Sequence, residues 1–114
     1  MDELVDRLSK GLHPVVVALR PEPTILALKE CIDRKYIHVK FTGTRGGTEL
    51  SFPLDLDHTN LAGADFENQR GRIRVAGSLT LNYVRVRCIA DIELESLAGQ
   101  GRLEALDRTT ADSS

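Results

Sequence analysis

The sequence predicts an α+β fold: a mostly antiparallel sheet of about five strands, with two helices packed on one face. Three observations lead there. Residues 70–95 alternate apolar and polar side chains with period 2 on either side of a two-residue turn, and residues 36–55 repeat that pattern around a glycine-rich turn. Two further segments, 2–12 and 24–35, carry apolar residues at helical spacing, and helices of that kind cover one face of an antiparallel sheet. A chain of 114 residues is long enough for one modest core. We expect a single domain over 1–107 and a disordered polar tail over 108–114.

The first helix is expected over 2–12, where Leu4, Val5, Leu8 and Leu12 share a face, Asp2 can cap the start and Gly11 lies near the end. A strand is expected over 14–19. Its run Val15-Val16-Val17-Ala18-Leu19 suits a strand covered on both faces, and Arg20-Pro21-Glu22-Pro23 stops it because proline cannot donate to a ladder. The segment 24–35 reads two ways. Ile25, Leu28, Cys31 and Ile32 fall on one helical face, whereas 24–28 could instead form a strand hairpinned to 15–19; the helix formers favour the helix.

In 36–55, Ile37, Val39 and Phe41 point one way and Leu50, Phe52 and Leu54 return the same face. A turn centred on Arg45-Gly46 pairs Phe41 with Leu50, Val39 with Phe52 and Ile37 with Leu54. A turn at Gly46-Gly47 shifts the pairing by two and keeps the face. The connector 55–69 is unusually long, and connectors of that kind are commonly functional or flexible.

The 70–95 hairpin specifies its own register. A turn at Asn82-Tyr83 pairs Leu81 with Val84, Leu79 with Val86, Gly77 with Cys88, Val75 with Ala90 and Ile73 with Ile92. Asparagine tolerates the positive φ of such a turn, and Gly77 would make room for Cys88. On the other face, Arg74 meets Asp91, Arg72 meets Glu93 and Arg70 meets Glu95. Each such pair contributes roughly 0.2–1 kcal/mol, and a one-residue slip would send the apolar set to the wrong face. After Leu94 the pattern weakens, and Leu97, Leu103 and Leu106 fit a short helix or a last strand about a Gly99-Gln100-Gly101 hinge.

This pairing removes most of an apparent nucleic-acid signal. Of the arginines at 70, 72, 74, 85 and 87, only Arg85 and Arg87 lack a carboxylate directly opposite. The formal net charge is −2, with three Phe, two Tyr and no Trp, so neither electrostatic attraction to a polyanion nor a base-stacking platform is indicated. Nucleic acid and membrane are therefore not expected as partners. The start MDELVDRLSK lacks the basic and apolar regions of a signal peptide. Cys31 and Cys88 have no metal-site or redox spacing, and the expectation is a cytoplasmic protein without a cofactor.

Catalytic signals are weak. There is no Gly-x-Ser-x-Gly, Cys88 falls on the core face, and Thr44-Arg45-Gly46-Gly47-Thr48 joins two strands where a phosphate loop would open a helix. One cluster could bind a metal or ligand: if the second strand of the 36–55 hairpin continues, Asp55 and Asp57 come opposite Tyr36 and His38, with His58 adjacent. A different feature points to binding. The turn end of the 70–95 hairpin carries Ala76, Ser78, Thr80, Tyr83, Arg85, Arg87 and Ile89 on its outer face, a mixture of small, apolar, Tyr and Arg residues typical of interfaces. The sequence thus favours a small non-catalytic partner-binding module, such as an accessory or effector subunit of a larger enzyme system or a homodimeric protein. A small enzyme or a ligand- or metal-binding protein using His38, Asp55, Asp57 and His58 is the alternative.

Overall fold

The computed structural model describes residues 3–19, 24–44 and 46–106. The disordered tail expected over 108–114 lies outside the described residues, as do Arg45 in the glycine-rich turn and the 20–23 breaker.

The elements run α1 (Glu3–Leu8), β1 (His13–Val17), α2 (Ile25–Arg34), β2 (Tyr36–Phe41), β3 (Thr48–Pro53), β4 (Ala64–Asp65), β5 (Arg70–Leu81), β6 (Val84–Glu93) and β7 (Ala98–Ala105). Seven strands form one antiparallel array in the order β3-β2-β1-β7-β6-β5-β4. This corrects the expected five-stranded sheet with two helices on one face. The sheet curls into a half-barrel, and the helices stand at opposite ends of β1, α1 before its start and α2 after its end. The additional strands have local causes. Leu97 takes φ 58° and donates its N–H to the Glu93 carbonyl at 2.7 Å, a tight turn that sends the chain back along β6 as β7. What reads in sequence as a hinge is the middle of this strand, where Gly99 lies so close to the Asp91 carbonyl of β6 that a Cβ could not be accommodated.

The 70–95 hairpin has the expected register from Leu81–Val84 to Arg72–Glu93. Asn82 (φ 49°) and Tyr83 (φ 69°) both take left-handed conformations, the pattern of a type I′ turn. Arg70 departs from the expected ladder: β6 ends at Glu93, and Arg70 pairs with Asp65 of β4, not with Glu95. In the β2–β3 hairpin Phe41 meets Thr48, Val39 meets Leu50 and Ile37 meets Phe52. The pairing therefore differs by two residues from the Arg45-Gly46 expectation, in the direction opposite to the Gly46-Gly47 alternative. The even shift keeps the same residues facing inward, so the apolar pattern alone could not discriminate.

The segment 24–35 is a helix. Thr24 caps it, its hydroxyl accepting from the Ala27 N–H at 3.2 Å, and Lys35 ends it in a left-handed conformation. β1 is central in the sheet, between β2 and β7, yet it is not covered on both faces: Val15 and Val17 are buried while Val16 is half-buried and Pro14 exposed. One core holds the inward residues of all the long strands together with Val5 and Leu8 of α1 and Leu28 and Cys31 of α2.

The connector closes the curl. Asp55 donates its N–H to the Ala76 carbonyl at 2.7 Å, the Thr59 hydroxyl accepts from the Ala76 N–H, and Asn60 exchanges two backbone hydrogen bonds with Arg74 at 2.8 and 2.9 Å. Ala64 and Asp65 continue along the same edge as β4. Gly77 is where β3, at one end of the sheet, meets β5, next to the other end. A Cβ there would collide with the Pro53 carbonyl oxygen and the Phe52 ring, so Gly77 makes room for β3 as well as facing Cys88 across the ladder.

Candidate functional site

The outer face of the β5–β6 hairpin divides at Ala76. Toward the base, Arg72 bonds Glu93 at 2.8 Å, and Arg74 holds Asp91 with two hydrogen bonds at 2.8 and 3.1 Å. Toward the tip, charges are paired differently. Arg87, which has only Ser78 opposite on β5, reaches to β7 and pairs with Glu104 at 3.3 Å; Arg102 holds the other oxygen of that carboxylate at 3.0 Å. Arg87 is thus not available in the way the two-strand reading implied, because its partner sits on a strand far along the chain. Its Nε is buried with no acceptor among the described residues. Arg85 is exposed, and its polar contact is with the Ser78 hydroxyl at 3.4 Å.

The residues singled out at this end separate by exposure. Tyr83 stands at the tip with 97% of its surface exposed, and Thr80 and Arg85 are exposed beside it. Ser78, Arg87 and Ile89 are half-buried. Ala76 is fully buried, its backbone N–H and C=O both engaged by the connector. An exposed tyrosine in a left-handed conformation is uncommon, since the conformation disfavours a Cβ and glycine is the usual second residue of such a turn.

The His/Asp group is only partly brought together. β3 ends at Pro53, and Asp55 turns away to bond Ala76, so the strand continuation that would carry Asp55 and Asp57 opposite Tyr36 and His38 does not occur. His38 instead hydrogen-bonds Ser51 across the β2–β3 ladder and meets the Tyr36 ring edge-on at 5.5 Å. Asp55 and His58 do pair, Nδ1 to Oδ2 at 2.8 Å, and the other Asp55 oxygen accepts from the Asp57 N–H at 3.1 Å. The His58 hydrogen bond, helped by that N–H and by the charges of His58 and Arg87, lowers the Asp55 carboxyl below its ordinary range. Among the described residues no three His, Cys, Asp or Glu side chains form a metal-binding group.

Asp57, His58, Asn60, Arg72, Arg74 and Asp91 line an open groove of about 730 Å³. Its arginines are already engaged by carboxylates, which leaves it little net charge to offer a ligand. Cys88 is fully buried, and burial pushes its thiol up to about 12, so no reactive thiolate exists there near neutral pH.

No protein-family model matches the chain, and no curated protein matches it. No helix among the described residues is long and apolar enough to cross a membrane.

Sequence reasoning missed Glu104, Thr59 and Asn60. Glu104 carried a faint signal, since Arg102, Glu104 and Leu103 continue a period-2 pattern. Thr59 and Asn60 carried none, because irregular connectors leave no periodicity to read.

Proposed function

We propose that the protein is a small non-catalytic binding module, an accessory or effector subunit or a self-associating interaction protein, whose contact surface is the tip of the β5–β6 hairpin. The observation that carries this reading is Tyr83. It is 97% exposed, at the end of strands of 12 and 10 residues, in a backbone conformation that costs about 1–3 kcal/mol for a non-glycine residue. Nothing in the fold of the hairpin requires a tyrosine there, and Tyr and Arg, here exposed as neighbours at 83 and 85, are among the residue types enriched in binding hot spots.

Tyr83→Gly separates folding from binding. Glycine relieves the left-handed strain, so the variant should be more stable than the parent by about 0.5–1 kcal/mol, read from urea denaturation. The same variant should lose partner retention on an affinity column, or the dimer in sedimentation if the partner is a second copy. A variant that is more stable and binds as before would remove the reason for placing the contact at the tip.

The second reading, ligand binding beside Asp55, Asp57 and His58, is supported by the Asp55–His58 pair at the rim of the open groove. It predicts a rise in melting temperature with zinc or manganese that His58→Ala abolishes; no shift with either ion would dismiss its metal form.

A further inference from the structure

β5 has two edges. One is laddered to β6 from Arg72 to Leu81. The other is covered only in part: Arg70 and Gly71 pair with β4, Arg74 with Asn60, and Ala76 with Thr59 and Asp55. In an antiparallel strand alternate residues direct their backbone groups to the same side. Since Arg74 and Ala76 spend theirs on the connector, Ser78 and Thr80 direct theirs to that side as well. There the cover has ended, and no backbone hydrogen bond engages them among the described residues.

We propose that this bare edge, Ser78 to Thr80, is a β-augmentation site that takes an extended protein segment alternating apolar and acidic residues. The proposal rests on the hairpin-tip reading above and specifies the partner class. The backbone side of the match is the two N–H and two C=O groups of Ser78 and Thr80, which a strand laid along β5 would satisfy. Alternation follows from the two faces of β5. On the inner face Leu79 and Leu81 are packed against the core but only half-buried, and an added strand would cover them with its own apolar side chains. On the outer face Arg85 bonds Ser78, so its guanidinium lies over β5 itself, about one strand spacing (~4.8 Å) from the line an added strand would follow. Carboxylates on that face of the partner would meet it.

The same geometry disfavours a second copy as the occupant. Two-fold pairing of identical edges through Ser78 and Thr80 would bring the two Arg85 side chains toward each other, like charges across a strand pair. Edges left bare in this way are normally blunted by charge, proline or a bulge, and none of these devices is present at 78–81.

The test uses the full chain and a fluorescently labelled short peptide alternating valine and glutamate, with a valine–lysine peptide as control. Anisotropy should show the glutamate peptide binding and the lysine peptide not. Thr80→Pro removes an N–H that β6 does not use, so the hairpin should remain folded by circular dichroism while peptide affinity falls roughly tenfold or more. Arg85→Glu should reverse the preference between the two peptides. Absence of peptide binding, or binding that neither variant changes, would overturn the proposal. Self-association abolished by Thr80→Pro would overturn it in favour of a second copy. If the peptide fails but partner retention still depends on Tyr83, the edge inference falls and the hairpin-tip reading stands; if both fail, the tip is not a contact surface.

Discussion

The base and the tip of the β5–β6 hairpin are built from the same alternation and end up as different surfaces. At the base, Arg72 and Arg74 of β5 each hold a carboxylate of β6, and the outer edge is stitched to the connector through Arg74 and Ala76. At the tip, β5 presents Ser78 and Thr80 with an edge left bare by the described residues, and among those residues Arg85 of β6 bonds the Ser78 hydroxyl. The boundary falls at Ala76 and Gly77, where β3 and the connector reach across to β5. A single regular hairpin therefore has one half committed to holding the half-barrel closed and one half left exposed. The difference arises from neighbours, since strand geometry is continuous through both halves.

The largest effect that probes this boundary involves Cys88, directly across the ladder from Gly77. Its thiol is raised from 9.0 to about 12, with burial as the cause. Between those values the unfolded chain has lost the proton while the folded chain keeps it, so stability is fully present below pH 9 and declines as pH rises towards 12. The loss attributable to this group should approach about 4 kcal/mol by the upper limit, at roughly 1.4 kcal/mol per pH unit. Urea titrations at successive pH values, compared with Cys88→Ala, read that slope; parallel curves for the two proteins would mean that the boundary is open to water.

Gly77→Ala should come next. The added methyl meets a carbonyl and a ring that cannot both withdraw, and overpacking of this kind costs about 1–3 kcal/mol. Because the clash forces β3 away from β5, the Ala76 amide should also lose hydrogen-exchange protection. A variant of parental stability would show that β3 and β5 do not need to touch.

The smallest effect sharpens the contrast between the halves. Arg74→Ala removes a two-bond ion pair that is more than half exposed on the arginine side, worth about 0.2–1 kcal/mol and less in high salt. Arg85→Ala removes no ion pair formed among the described residues and should leave stability unchanged. Equal losses from the two substitutions, measured side by side at low salt, would erase the distinction between base and tip.

How much was legible in the sequence follows the same division. The β5–β6 register was readable because two independent patterns, the apolar face and the charge pairs of Arg72 and Arg74, agreed on it. The β2–β3 register was not, since a shift of two residues leaves every apolar side chain facing inward and no charge pattern opposed it. β7 was obscured by Gly99 and Gly101, which resemble a hinge in sequence and serve as points of close strand approach in the fold. Of the candidate site, Tyr83 and Arg85 were visible as exposed hairpin residues, whereas the burial of Ala76, the capture of Arg87 by Glu104 and the separation of His38 from Asp55 were not.

By itself, the sequence determined which side of β2, β3, β5 and β6 faces inward, where the β5–β6 hairpin turns, and that Arg72 and Arg74 of β5 find acids across the ladder. These are contacts between near neighbours along a repeating backbone, and periodicity encodes them. Only the tertiary structure decided that seven strands curl until β3 reaches Gly77, that Glu104 claims Arg87, and that cover on the outer edge of β5 stops before Ser78. Those outcomes depend on which distant segments come to lie side by side, a matter of sheet curvature and of an irregular connector whose hydrogen bonds follow no period.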